Sequence, residues 1–165
     1  MKIIKKFSTF NTNTKDYFKA YIELRSDVKT LPTKKMRESV LDSLYGDDMF
    51  EEDPTMKKLQ YRICDLFGMS SSIFCPSGTM ANILSLHLYS NRNDYVILGH
   101  KSHLSIIEKP QLEHNQINPI RITNNINGSL CMKSLSNTIN SMNEEHKIKV
   151  LALEDTHNFC GGQIL

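Results

Sequence analysis

Phe74-Cys75-Pro76-Ser77-Gly78-Thr79-Met80-Ala81-Asn82 follows a short apolar run and opens a patterned helix, and the reading of this turn decides the fold. Ser77 and Thr79 bring hydroxyls, and Gly78 lets the backbone come close to a ligand. The first turn of the helix behind them offers unpaired N–H groups at the positive end of a dipole. A strand-to-helix junction of this kind is a ready phosphate cradle. The same composition also suits an ordinary helix start with Ser77 as N-cap, so the segment has to be read with its surroundings.

Working outward, Ser72 to Cys75 reads as a short strand. Thr79 to Tyr89 reads as a helix with Met80, Ile83, Leu84 and Leu88 inward. Tyr95 to Leu98 is a strand, Leu104 to Glu108 a short helix, and Asn118 to Ile122 a further strand. Asn127-Gly128 is a turn, Lys133 to Met142 a helix, and Lys149 to Leu153 a continuous apolar strand. Upstream, Thr33 caps a helix with Met36, Val40 and Leu44 at i, i+4 spacing, ended by Gly46. Pro54 opens another, with Leu59, Ile63, Leu66 and Phe67 on one face and Gly68 past its end. Strands alternating with helices predict an α/β layer with a mostly parallel sheet. About four strands leave an edge and part of a face uncovered. The last residues, Gly161-Gly162-Gln163-Ile164-Leu165, read as a turn inside a domain. The expectation is the front part of a larger domain, truncated at its C-terminus.

Composition narrows the classes further. The 165 residues carry a net charge of +2, too little to argue for nucleic acid, and no basic block or stacking platform is evident. No apolar run approaches the ~20 residues of a bilayer span. Cys64, Cys75, Cys131 and Cys160 are widely spaced and read as free thiols in a reducing compartment. Residues 1–21 are basic and poor in acids, and read as an N-terminal extension or arm. The compartment expected is the cytoplasm, or the mitochondrion if that stretch serves as a presequence.

Several motifs line up in order: Ile22-Glu23-Leu24-Arg25-Ser26-Asp27 with Thr30-Leu31-Pro32, Gly46-Asp47-Asp48, and Glu52-Asp53-Pro54-Thr55. Then come the Ser77-Gly78-Thr79 turn, Ser102-His103, and Leu153-Glu154-Asp155-Thr156-His157-Asn158 with Cys160-Gly161-Gly162. From Ile22 to Leu165 this constellation closely resembles the low-specificity L-threonine aldolases, pyridoxal-phosphate enzymes of the aspartate-aminotransferase fold.

The resemblance implies a fold and a site. The fold is a pyridoxal-phosphate-dependent transferase-like large domain, here over residues 22–165. The cofactor is pyridoxal 5'-phosphate, with Ser77, Gly78 and Thr79 on its phosphate and His103 stacked on its ring. His157 falls near the β-hydroxyl of the substrate, Ser26 near its carboxylate, and Glu108 near the reacting centre. The reaction implied is cleavage of L-threonine or L-allo-threonine, a small β-hydroxy amino acid, into glycine and acetaldehyde, in a homo-oligomer. The acidic loop Asp47 to Asp53, otherwise a solvated charge run, is implied to lie near a subunit contact. His100-x-x-His103 and His157-x-x-Cys160 have spacings that also suit a metal. The resemblance already accounts for three of these four positions, and no metal is expected.

Two chemical parts do not occur in the sequence. This chemistry needs a lysine to hold the cofactor aldehyde and a carboxylate to keep its pyridine nitrogen protonated. The family carries them in Ser-Lys-Gly and Asp-Gly-Ala-Arg strings, and neither is present. The chain alone is therefore expected to be inactive. Two alternatives remain beside the aldolase. One is a catalytically dead homologue that acts by assembling with full-length subunits. The other is a β-eliminating lyase. The family pattern also changes locally. Val28-Lys29-Thr30 stands where it reads Thr-Val-Thr, and Met49-Phe50-Glu51 where it reads Val-Tyr-Gly. Lys109-Pro110-Gln111 replaces a glycine pair.

Overall fold

Thr33 starts the first described helix, α1 (Lys34–Leu41), where its hydroxyl accepts the Met36 N–H at 3.2 Å. The computed structural model describes residues 27–142 and 148–165. These fall into two compact units, one ending at Ser72 and the other Ile73–Leu165. The expected arm over residues 1–21, and Ser26 with its motif, lie outside the described residues.

In the first unit, α1 ends at Leu41, earlier than the predicted stop at Gly46, and Leu44 lies beyond it. The next helix, α2 (Pro54–Phe67), matches its sequence signals. Asp53 caps it by accepting the Met56 N–H at 2.8 Å, Pro54 takes the first turn, and Gly68 closes it at φ 64°. Between the helices, Thr55 Oγ1 donates to the Leu44 carbonyl and Asp53 accepts the Gly46 N–H. The predicted apolar stripes, Met36 and Val40 on α1 and Leu59, Ile63, Leu66 and Phe67 on α2, are exposed.

The second unit holds α3 (Gly78–Tyr89), β1 (Tyr95–Gly99), α4 (His103–Ile106), α5 (Lys109–His114), β2 (Asn118–Ile122), α6 (Met132–Ser141) and β3 (Ile148–Ala152). The three strands form one parallel sheet in the order β2-β1-β3, so the α/β class with a parallel sheet holds. β1 is central and its side chains alternate. Val96 and Leu98 pack with Leu86, Leu112 and Ile117 on one face. Ile97 packs with Ile122, Leu130 and Leu135 on the other. Burying each such side chain contributes roughly 1.5–3 kcal/mol relative to exposure, which makes β1 the anchor of the unit.

Three details differ from the sequence reading. Residues 72–75 form no strand; Ile73 and Phe74 are exposed, and no described strand offers them a ladder. On α3 the buried residue is Leu86, while Leu88 is exposed. That helix is apolar nearly all round, so periodicity could not choose its inner face. Lys109–His114, where the family's glycine pair is lost, forms the additional helix α5, with Pro110 in its first turn.

Candidate active site

α3 begins as the opening motif requires. Ser77 is the N-cap and its Oγ accepts the Met80 N–H at 3.1 Å. The hydroxyl proton of Ser77 stays free to donate. The amides of Gly78 and Thr79, the first two of the helix, donate to no group among the described residues. A Cβ at Gly78 would meet nothing within 4 Å, so the helix start is uncrowded at that residue. The capping role and the cradle role are thus compatible.

One turn further along α3, Asn82 Nδ2 donates to Glu108 Oε1 at 2.8 Å. The same oxygen lies 2.5 Å from His103 Nδ1. Glu108 is 1% exposed, and its second oxygen, Oε2, has no hydrogen-bond partner. With Glu108 as a carboxylate its oxygen can only accept, and the imidazole nitrogen facing it, Nδ1, then carries the proton. Nε2 is left as the proton-accepting atom of a ring that is 40% exposed. The structure therefore brings His103 and Glu108 together with Asn82 of α3, while Ser77, Gly78 and Thr79 hydrogen-bond to neither of them.

His103 borders a cavity of about 190 Å³ lined by Asn82, Ser102, His103, Leu153, Glu154 and Asp155 among others. Complete small-molecule pockets usually measure about 300–1,000 Å³, and this cavity is smaller. The cavity lies beyond the C-terminal ends of β1 and β3. The chain leaves β1 for β2 on one side and later returns to β3 on the other. Open parallel sheets bind ligands at this kind of switch point.

Glu154 ties the two halves of the cavity wall together. Its Oε2 accepts the His103 N–H at 2.5 Å and its Oε1 the Asn158 N–H at 2.9 Å. His157 sits behind this carboxylate. It is 1% exposed, does not line the cavity, and its Nδ1 is 3.7 Å from Glu154 Oε1. Sequence reasoning quoted Glu154 and Asn82 inside motifs but gave them no role. Their partners lie 51 and 26 residues away, beyond the reach of local patterning.

No described helix is long and apolar enough to cross a membrane. The chain belongs to the beta-eliminating lyase family, whose sequence pattern matches residues 23–165. It is similar to the probable low-specificity L-threonine aldolase 2 of Arabidopsis thaliana, with 31% identity over 149 residues, 87% of this chain and 42% of that protein. The low specificity L-threonine aldolase of Escherichia coli K12 is 33% identical over 140 residues, 83% of this chain and 42% of that protein. The alanine racemase TOXG of Cochliobolus carbonum is 39% identical over 85 residues, 51% of this chain and 22% of that protein. The chain spans about two fifths of the length of the two aldolases.

The residues present fit a phosphorylated aromatic cofactor. Free helix-start amides and two hydroxyls can hold a dianion, and a half-exposed imidazole fixed by Glu108 offers a flat face beside a cavity.

Proposed function

We propose that this chain supplies the cofactor cradle and the proton-handling wall of a pyridoxal-phosphate lyase. The reaction is cleavage of L-threonine or L-allo-threonine into glycine and acetaldehyde. The observation that carries this reading is the Asn82–Glu108–His103 cluster at the cavity, to which the helix that opens with Ser77-Gly78-Thr79 contributes Asn82. Relatives named L-threonine aldolase support the substrate class.

Ser77, Gly78 and Thr79 would hold the cofactor phosphate, and His103 would stack on its ring. When bound, the cofactor supplies an electron sink for the pair left on the substrate's α-carbon. The chain's own residues handle position and protons. Glu108 holds the Nδ1 proton of His103, so Nε2 is free to take a proton from the β-hydroxyl as the Cα–Cβ bond breaks. His157 is too deeply buried to meet that hydroxyl directly and acts through Glu154. Ser26 is assigned to the substrate carboxylate. The reading includes a homo-oligomer in which the loop over 47–53 completes a neighbouring site.

The test is acetaldehyde release from L-threonine by a polypeptide that joins this chain to a Schiff-base lysine. We expect release there, its loss in His103→Ala, and none from the 165 residues alone. The family's description favours β-elimination as the second reading. Ammonia and a 2-keto acid in place of acetaldehyde and glycine would select it, and no turnover of either kind would overturn both.

A further inference from the structure

Behind the cavity wall lies a polar cluster built around Asn124, which is buried at 8% exposure. Its side chain is held by two backbone groups. Oδ1 accepts the Lys101 N–H at 2.9 Å, and Nδ2 donates to the Gly128 carbonyl at 2.7 Å. Turning the amide over would set N–H against N–H and carbonyl against carbonyl, so its orientation is fixed. The backbone N–H of Asn124 also donates to His100 Nδ1 at 2.9 Å.

Nδ2 also faces His157 Nε2 at 3.3 Å. A proton on Nε2 would meet the hydrogens of that amide, so Nε2 must accept, and the imidazole proton lies on Nδ1. Nδ1 stands 3.7 Å from Glu154 Oε1 and has no hydrogen-bond partner. A buried unpaired N–H is unfavourable by about 1–3 kcal/mol, and closing this gap to hydrogen-bond length takes roughly 0.5–1.0 Å.

Space for the cluster depends on two glycines. A Cβ at Gly99 would fall 2.5 Å from the Asn124 amide atoms, and one at Gly128 would fall 2.8 Å from His157 Cβ. The arrangement is therefore closely packed on the sides that set the two side chains.

We propose that Asn124 is a positioning residue that fixes the Nδ1–H tautomer of His157. It thereby aims a proton donor at Glu154, the carboxylate that lines the cavity and holds the backbone N–H of His103. The significance of this relay for catalysis rests on the reading of the cavity as the active site. The relay itself is read without turnover, so it can fail or stand separately from that reading.

The experiment is 15N NMR of the full chain labelled at its histidines, with the His157 signals assigned through His157→Gln. The expected result in the wild type is a protonated Nδ1 and an unprotonated Nε2 at His157. A protonated Nε2 in the wild type overturns the proposal without recourse to any variant. Asn124→Asp places an acceptor oxygen opposite Nε2 and is expected to move the proton there. It should also shift the His103 amide resonance, which reports the bond to Glu154. Gln111→Glu, the same change from amide to carboxylate at an exposed residue of α5, should leave both unchanged. If Asn124→Asp folds and leaves the His157 tautomer as it was, Asn124 does not set it. If the tautomer reverses and the His103 amide stays in place, the link through Glu154 is overturned.

Discussion

The backbone of Gly128 packs against the imidazole of His157 so closely that a Cβ on Gly128 would stand 3.0 Å from both Cγ and Cδ2 of the ring. Gly128 also has φ 89°, so alanine there meets a backbone cost and a contact cost together. Gly128→Ala is expected to lower stability by about 1–3 kcal/mol. Gly161→Ala is the control: its φ is 81° and a Cβ there meets nothing within 4 Å. Denaturant unfolding of both variants separates the two costs. Equal losses would mean that the contact with His157 is not what excludes a side chain at Gly128.

Glu51 takes a left-handed conformation, φ 57° and ψ 34°, at the end of the turn Asp48–Phe50. The resembled family reads glycine at this place, and the backbone here is the one glycine favours. Left-handed backbone costs an ordinary residue roughly 1–2 kcal/mol. The ion pair of Glu51 with Lys57 is 3.9 Å long and exposed, so losing it matters little. Glu51→Gly is therefore expected to raise the stability of the first unit, up to about 1 kcal/mol after the extra freedom of glycine in the unfolded chain is subtracted. Chemical denaturation checks the sign, and a loss of stability would show that the ion pair outweighs the backbone strain.

Asp53 should make the start of α2 sensitive to acid. The Met56 amide, assisted by those of Gly46 and Thr55, holds its carboxyl below the ordinary value of 3.8. A lowered native pKa means that the unfolded chain binds the proton more tightly. The contribution is thus fully present above 3.8, begins to fade as the pH falls through that value, and is gone below the native pKa. Asp53→Asn keeps an acceptor for Met56 but has no proton to gain. Helicity of α2 followed by amide exchange should fall with acid in the wild type, and this part of the slope should vanish in Asp53→Asn.

Local chemistry explains which features were legible before the structure. Asp53, Pro54 and Gly68 bound α2 because capping, proline placement and left-handed closure act within a few residues. Ser77 marked the start of α3 for the same reason. The ends of β1 came through to within a residue, and β2 fell within the stretch expected to contain a strand, since their apolar runs are short and bounded by turns. The inner face of α3 was not legible, because the apolar residues of that helix are spread around its circumference. Neither was the strand expected at 72–75, since a ladder depends on a neighbour that no local pattern reveals. At the site, His103 and Glu108 were expected from the family resemblance alone, and the structure places them in contact. The parts played by Asn124 and Glu154 arise from hydrogen bonds that reach 33 and 51 residues along the chain.

The sharpest division of labour in the proposed site is between Thr79, which would bind, and His103, which would both bind and move a proton. Thr79 lies in the first turn of α3, beside amides with no partner among the described residues. Thr79→Ala removes a hydroxyl contact to a dianionic phosphate, and one hydrogen bond to a charged group is worth roughly 1.5–3 kcal/mol. Affinity for pyridoxal 5'-phosphate should fall about tenfold or more, with turnover at saturating cofactor close to wild type. His103→Phe keeps a flat ring for stacking but has no nitrogen. Cofactor affinity should change little, while turnover of L-threonine should fall by about 10²–10⁴, the usual contribution of a positioned acid–base group. The substitution also strips Glu108 Oε1 of one of its two donors, so some loss of stability should accompany it, and the melting temperature of the variant is the control. Both variants are measured in a polypeptide that carries this chain with a Schiff-base lysine, by equilibrium cofactor binding and by acetaldehyde release. If His103→Phe retains turnover while Thr79→Ala loses it at saturating cofactor, the two roles have been assigned to the wrong residues.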